Sequence, residues 1–530
     1  MRRHVLRAVA LAALTPMLLT AQSAKEIKQA AEFITPKAVL ERISVIADDS
    51  MGGRNTPSAG LEKTAIWLAD NYKKWGLLPA GENGTYFQRY TMVRRAPDVA
   101  ASYFEADEGG NVTRYKFDKW AYATGPMTGE VITGPLRIIG GTMTLKDIEP
   151  MVLLGQIVFW VQDASKAADN RILARAIVAK HPAAMVLLTN VDPAQFAQLQ
   201  KSAMAGGRGQ LEGTPVAGVP TITMHDSIFA GDANAANRPD WNGMRKSTAP
   251  VVMDTPAGVG LSMMLKDREL SRFTAPNVVA MMPGSDPTLK SEYVIFSGHM
   301  DHVGTADDGV GGCQALKRPD GSTDNICNGA DDDASGTTGI LSVGEAIAKL
   351  KHKTKRSIVI LNVSGEEKGL LGSAWFAAHP TLPMDKVIAD INMDMIGRNA
   401  TDSIVVIGKE HSDMGVTLAR VQKAHPELKL VAADDIWPEE NFYSRSDHFN
   451  FAKKGVPVLF FFNGVHPQYH RPNDEVGLID TSKLSRVAKL GFYFGVELAN
   501  TVTRPKWNPE SYQTIVVEGK VPPATKKAGT

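Results

Sequence analysis

Six short segments of this 530-residue chain set acids or imidazoles beside glycine or at the ends of apolar runs. In Ser297-Gly298-His299-Met300-Asp301 the imidazole can ligate zinc. A carboxylate two residues on can accept its other N–H and so fix tautomer and ring orientation. That offset favours His299 over the nearby His302. In Asn328-Gly329-Ala330-Asp331-Asp332-Asp333-Ala334-Ser335-Gly336, three adjacent carboxylates repel one another unless solvated or neutralised by cations. Either they cap the following helix or one of them bridges two metal ions. In Gly365-Glu366-Glu367 adjacent loop glutamates point apart, so one can hold metal while the other takes a proton from water. Asp394, flanked by Met393 and Met395 at the end of an apolar run, is costly without a partner or a cation. His448 in Ser446-Asp447-His448, and His466, Tyr469, His470 and Asp474 further on, complete the set. The residues alone leave open which of the three histidines is a ligand.

The surrounding elements are expected to bring these segments together. From Asn277 onward, strand-like runs (293–296, 358–363, 387–391, 403–407, 458–462) alternate with helical periodicity (337–350, 373–378, 414–423, 481–500). That alternation predicts an α/β sandwich with a mostly parallel central sheet flanked by helices. Ligands in such folds gather at the carboxyl ends of the strands, where four of the acidic segments fall. Residues 35–77 read as two helices around the turn Met51-Gly52-Gly53-Arg54. Residues 126–255 change texture and read as a smaller β-rich module. The larger domain is then discontinuous, 24–125 with 256–505, and the Pro- and Lys-rich stretch 506–530 is expected to be a flexible tail.

A chain of this length calls for two domains. Its formal net charge of +1, without a long basic run, argues against nucleic acid or an anionic membrane surface as partner. Arg2, Arg3 and Arg7 precede an apolar stretch from Ala8 to Leu19, and Ala21 and Ser23 frame a cleavage point. Residues 1–23 are therefore expected to be a signal peptide, the mature protein to be exported to a periplasmic or extracellular compartment, and no stable membrane association to remain. In that compartment Cys313 and Cys327, the two cysteines present, can pair.

The ordered set Gly298-His299-x-Asp301, Gly329 to Gly336, Gly365-Glu366-Glu367, Asn392-Met393-Asp394 and Tyr469-His470 resembles the co-catalytic zinc aminopeptidases of metallopeptidase family 28. Ser446-Asp447-His448 with Gly455-Val456-Pro457, and Asn277 to Ala280 with Pro283-Gly284-Ser285, are similar to further family segments. The inserted stretch resembles, more weakly, a protease-associated domain. The resemblance implies two zinc ions, with manganese or cobalt as alternatives, and a peptide substrate cut at its N-terminal bond. It implies Asp332 as the bridging ligand, His299 and Asp394 completing one site, and Glu367 and His470 the other. Glu366 becomes the general base acting on a metal-bridged water, and Asp301 orients His299. Tyr443, Arg445 and Tyr469 become candidates for contacting the substrate carbonyl and the developing oxyanion. Three other readings compete: a carboxypeptidase, a single-zinc glutaminyl cyclase on the same fold, and a non-catalytic binding ectodomain. Oligomeric state is not legible in the sequence.

Overall fold

A computed structural model describes residues 22–521 except 116, 118, 207–208, 217, 230–238, 256–258 and 309–311. The expected signal peptide lies almost wholly outside the described residues. Among those described, no helix is long and apolar enough to cross a membrane.

The chain divides into two compact units, Met1–Arg89 with Ala275–Thr530, and Tyr90–Thr274. The first opens with helices α1 (Ala24–Ala31), α2 (Pro36–Ile46) and α3 (Ala59–Trp75), each begun by a hydroxyl residue (Ser23, Thr35, Ser58) whose side chain accepts a first-turn backbone N–H. Between α2 and α3 the turn Asp49–Arg54 carries two left-handed glycines, Gly52 and Gly53.

Its sheet is built from β1 (Val259–Met282, through residues 278–282), β2 (Tyr293–His299), β3 (Ser357–Val363), β4 (Val387–Met393), β5 (Ser403–Ile407), β6 (Val431–Ala433) and β7 (Val458–Phe462). The order is β1-β3-β2-β4-β7-β5-β6. The central four, β3, β2, β4 and β7, are mutually parallel, while β1 and β5 run antiparallel to their inner neighbours. Near-continuous apolar composition explains that core: every residue of β3, β4 and β7 is buried, as a strand covered on both faces requires. The mostly parallel α/β expectation is met.

Helices α4 (Gly336–Ala348), α5 (Leu371–Ala378), α6 (Met414–Ala424), α7 (His448–Ala452) and α8 (Thr481–Asn500) belong to the same unit. Asp480 caps α8 by accepting the Lys483 N–H at 2.9 Å. A Cβ at Gly336 would lie 2.1 Å from the Met393 carbonyl oxygen and 2.4 Å from Asp333 Oδ1, so only glycine lets the start of α4 close against the end of β4.

The stretch after Pro505 departs from expectation. Pro509–Tyr512 is helical, Ile515 is fully buried in the apolar cluster with Phe451 and Val456, and Trp507 Nε1 donates to the Gly455 carbonyl at 2.9 Å. The apolar residues Trp507 and Ile515 dock it, so residues up to 521 are not a flexible tail.

The second unit holds a six-stranded sheet in the order 250–254, 136–141, 157–161, 184–189, 221–225, 121–124, with a parallel centre. Helices Ala167–Val178 and Pro193–Met204 accompany it, so the module is α/β rather than simply β-rich. It also extends beyond the expected 126–255, because Tyr103–Glu108 pairs with both Asn111–Tyr115 and residues 259–264.

Candidate metal centre

The carboxyl ends of the four parallel strands lie side by side, and the loops leaving them carry the acids and imidazoles. His299 ends β2, Glu366 and Glu367 follow β3, Asp394 follows β4, and His470 lies in the loop after β7. Asp332 comes from the turn ahead of α4.

Among the described residues, two groups can each surround a metal ion: His299, Asp332 and Asp394; and His302, Asp332, Glu367 and His470. Asp332 belongs to both, and its two oxygens face opposite ways. Oδ1 lies 3.4 Å from His299 Nε2, and His299 Nε2 lies 3.7 Å from Asp394 Oδ1. Oδ2 lies 3.1 Å from His470 Nε2, which is also 3.1 Å from Glu367 Oε2. All five residues that the resemblance made ligands are thus brought together.

The electrostatics agree. Burial alone would lower the His470 pKa, yet the Asp332 and Glu367 carboxylates hold it at about 10. Burial would likewise lower His299, but Asp394 and the neighbouring acids raise it well above its ordinary range. Glu367 sits at about 2: burial and Asp332 push it up, and His302 and His470 more than offset them. Such a nest of buried carboxylates demands positive charge. Asp332 Oδ2, Glu367 Oε1, His302 Nδ1 and His470 Nε2 crowd together at 2.9–3.6 Å, yet none of them makes a well-angled hydrogen bond among the described residues. A donor set of imidazoles and carboxylates without thiolate suits zinc, and these orphaned atoms converge as ligands would.

Neighbouring residues hold these side chains in place. Ser446 Oγ donates to Asp394 Oδ2 at 2.9 Å and accepts from Asn392 Nδ2 at 2.9 Å. Asp474 Oδ2 accepts the backbone N–H groups of Asp331 and Asp332 at 3.0 and 3.2 Å. Asp301 Oδ1 is 3.6 Å from His299 Nδ1, although the Asp301 backbone oxygen is closer at 3.1 Å. Asp331 and Asp333 turn away from the shared centre: Asp331 Oδ1 accepts the Gly397 N–H, and Asp333 Oδ1 accepts those of Gly336 and Met395. Asp333 thus caps the start of α4, while Asp332 lies where the bridge reading needs a carboxylate.

A cleft opens on this centre, lined by Glu366, Arg445 and Tyr469 and by the apolar Met395, Phe442, Phe460, Phe462 and Val465. Burial raises the Glu366 pKa; His299 opposes this, but the Glu367 and Asp447 carboxylates reinforce it and leave the group well above the carboxylate range. Arg445 stacks over Phe442 at 4.6 Å and lies 3.6 Å from Glu440. Tyr443 does not line the cleft. Its buried ring packs against His411, His448 and Phe449, because Phe442 takes the cleft-facing position instead. Among the extra histidines, His466 lies 3.5 Å from Asp331 Oδ2, and His448 stacks on Phe460 with burial holding its pKa down at about 3. His302, set aside by its offset, is instead fully buried with Nδ1 2.9 Å from Glu367 Oε1. Its three-residue spacing from His299 was the signal available.

Cys313 and Cys327 are bridged, with Cα atoms 5.8 Å apart. Cys327 Sγ lies 3.7 Å from the His470 carbonyl oxygen, so the bridge abuts the loop that carries this histidine.

Residues 277–494 match the sequence profile of peptidase family M28. That part of the chain is similar to the M28 peptidases. Curated relatives include a probable leucine aminopeptidase of Trichophyton verrucosum, 29% identical over 235 residues, which are 42% of this chain and 58% of that one. A leucine aminopeptidase of Penicillium rubens is 27% identical over 43% of this chain and 59% of its own. The chain thus spans somewhat over half the length of these relatives. Among solved structures, an aminopeptidase from Aneurinibacillus sp. strain AM-1 aligns over 91% of this chain and 98% of its own, at 20% identity and a TM-score of 0.48. A zinc aminopeptidase from Bacillus subtilis aligns over 89% and 97%, at 16% identity and a TM-score of 0.46.

Proposed function

We propose that this protein is an exported di-zinc aminopeptidase that hydrolyses the N-terminal bond of peptides. The observation that carries the reading is the placement of Asp332, one oxygen turned to His299 and the other to His470 and Glu367. A bridging carboxylate with two ligands on each side is what a two-metal hydrolase needs. Bound zinc supplies Lewis acidity, which activates a water at neutral pH and polarises the scissile carbonyl.

The remaining work falls to side chains. Glu366, at the cleft wall and not among the converging ligands, accepts the water's proton and delivers it to the leaving amine. Arg445 and Tyr469 line the same cleft and donate to the carbonyl oxygen as its charge develops. The apolar wall of Met395, Phe442, Phe460, Phe462 and Val465 suits an apolar N-terminal side chain. The names of the leucine aminopeptidase relatives point the same way. Export is supported by the Cys313–Cys327 bridge, which persists in an oxidising compartment.

The test is incubation of purified protein with a panel of aminoacyl chromogenic amides and one N-acylated peptide, with and without chelator. Chelator-sensitive release from leucyl or phenylalanyl amides, with the blocked peptide untouched at its N-terminus, is expected. Release from the carboxyl end of the blocked peptide, or none from any amide, overturns the reading.

A further inference from the structure

The family match begins at residue 277, but part of the centre's support comes from far upstream. Arg54, in the turn between α2 and α3, is fully buried. Its Nε donates to the Met300 carbonyl at 2.9 Å, Nη1 to Ile46 and Asn328 carbonyls at 2.9 and 2.6 Å, and Nη2 to Gly329 at 3.0 Å. One planar guanidinium therefore spans the chain just after His299 and the chain just before Asp332. His302 N–H donates back to the Arg54 carbonyl at 3.2 Å.

Two residues on, Thr56 Oγ1 donates to Asp301 Oδ2 at 2.8 Å and accepts the Gly365 N–H at 3.0 Å. The other Asp301 oxygen accepts the Glu366 N–H at 3.3 Å. Gly53 packs with equal closeness: its φ is +64°, and a Cβ there would lie 2.4 Å from the Gly304 oxygen and 2.6 Å from that of Cys327. The loops carrying His299, Asp332 and Glu366-Glu367 thus all meet this single turn.

We infer that Arg54 and Thr56 are positioning residues of the metal centre. Arg54 sets the spacing of the His299 and Asp332 loops, and Thr56 fixes the Asp301 carboxylate between His299 and the Glu366 backbone. The inference rests on the zinc reading above. Lysine cannot reproduce the fork of Arg54, since it offers a point charge on a flexible stem. Valine at position 56 keeps the shape of threonine and removes its hydroxyl.

The test uses the full chain as wild type, Thr56→Val, Thr56→Ser and Arg54→Lys. Zinc affinity is read by competition with a chromogenic chelator, and the visible absorption of the cobalt-loaded protein reports ligand geometry. Removing support behind a ligand typically costs about 10- to 100-fold in metal affinity or activity. Thr56→Val is expected to weaken zinc binding by about that factor and to shift the cobalt spectrum, while Thr56→Ser restores both. Arg54→Lys is expected to behave like Thr56→Val. Wild-type affinity and cobalt spectrum in Thr56→Val, whatever its thermal stability, overturn the inference. So does a Thr56→Ser protein as impaired as Thr56→Val. A wild-type protein that binds no zinc overturns the underlying reading as well, and shows it without any variant.

Discussion

The half of the centre formed by His299 and Asp394 and the half formed by Glu367 and His470 share Asp332 and differ in almost everything else. His299 and Asp394 stand at the ends of adjacent parallel strands, β2 and β4, both buried. Asp394 is held by Ser446, behind which lie Asn392, Ser297 and Asp390. Glu367 and His470 are carried by loops. The His470 side chain is 32% exposed, and its backbone sits at a φ of +56°, beside the disulfide-closed segment. Strand ends fix ligands before any metal arrives, and loops leave room to adjust. The inner half is therefore expected to hold its ion more tightly than the outer half.

The most damaging change removes what the halves share. Asp332→Asn is expected to lose both ions by elemental analysis and to bring amide turnover to background. Substantial retained zinc would mean that Asp332 is not the bridge. Next comes Glu366→Gln, which touches neither half: kcat is expected to fall by about 10²- to 10⁴-fold with zinc content unchanged. Turnover near wild type in that variant would remove Glu366 as the base.

The contrast itself is sharpened by His470→Ala, which is expected to retain about one zinc per chain, and by graded chelation of the wild type. One ion should leave before the other, and the early ion should be the one missing in His470→Ala. Simultaneous loss would erase the distinction.

How far each half was legible follows from the same physics. Continuous apolar runs such as Ile358–Val363 and Val458–Phe462 announced buried parallel strands, and acids at their ends announced the site. His299, Glu367 and Asp394 could be read that way, since a strand end is visible in the sequence. Loop geometry is not. The three-carboxylate run did not show that Asp331 and Asp333 turn to backbone N–H groups, His302 gave only its spacing, and Tyr443 was placed one residue away from the cleft-facing Phe442. Arg54 and Thr56 were illegible because a bond to a distant loop leaves no local pattern. The docked stretch around Ile515 was hidden by a composition typical of loose tails.

Acid should loosen the ion of the outer half. The nearby carboxylates hold His470 at about 10, so below that pH zinc must displace a proton from its imidazole. Zinc affinity there is expected to fall by about tenfold per pH unit as pH drops, measured by competition titration between pH 8 and 6. A pH-independent affinity would show that His470 is not a ligand.

The support of the inner half answers to pH as well, through stability rather than zinc. Burial raises Asp390 from 3.8 to about 8, with the Ser297 hydroxyl 2.8 Å away pulling it down and Asp447 adding to the rise. The folded chain then keeps a proton that the unfolded chain loses between those values. This contribution to stability is full below pH 3.8 and is lost as pH rises to about 8. Asp390→Asn should flatten that part of the pH dependence in denaturant unfolding. An unchanged slope would show that Asp390 is ionised in the fold.

Anomalous scattering at the zinc absorption edge from crystals of the zinc-loaded protein addresses the shared bridge directly. Two peaks on either side of Asp332 are expected, one against His299 and Asp394 and the other against Glu367 and His470. A single peak at full zinc loading, or peaks away from Asp332, would contradict a two-metal centre.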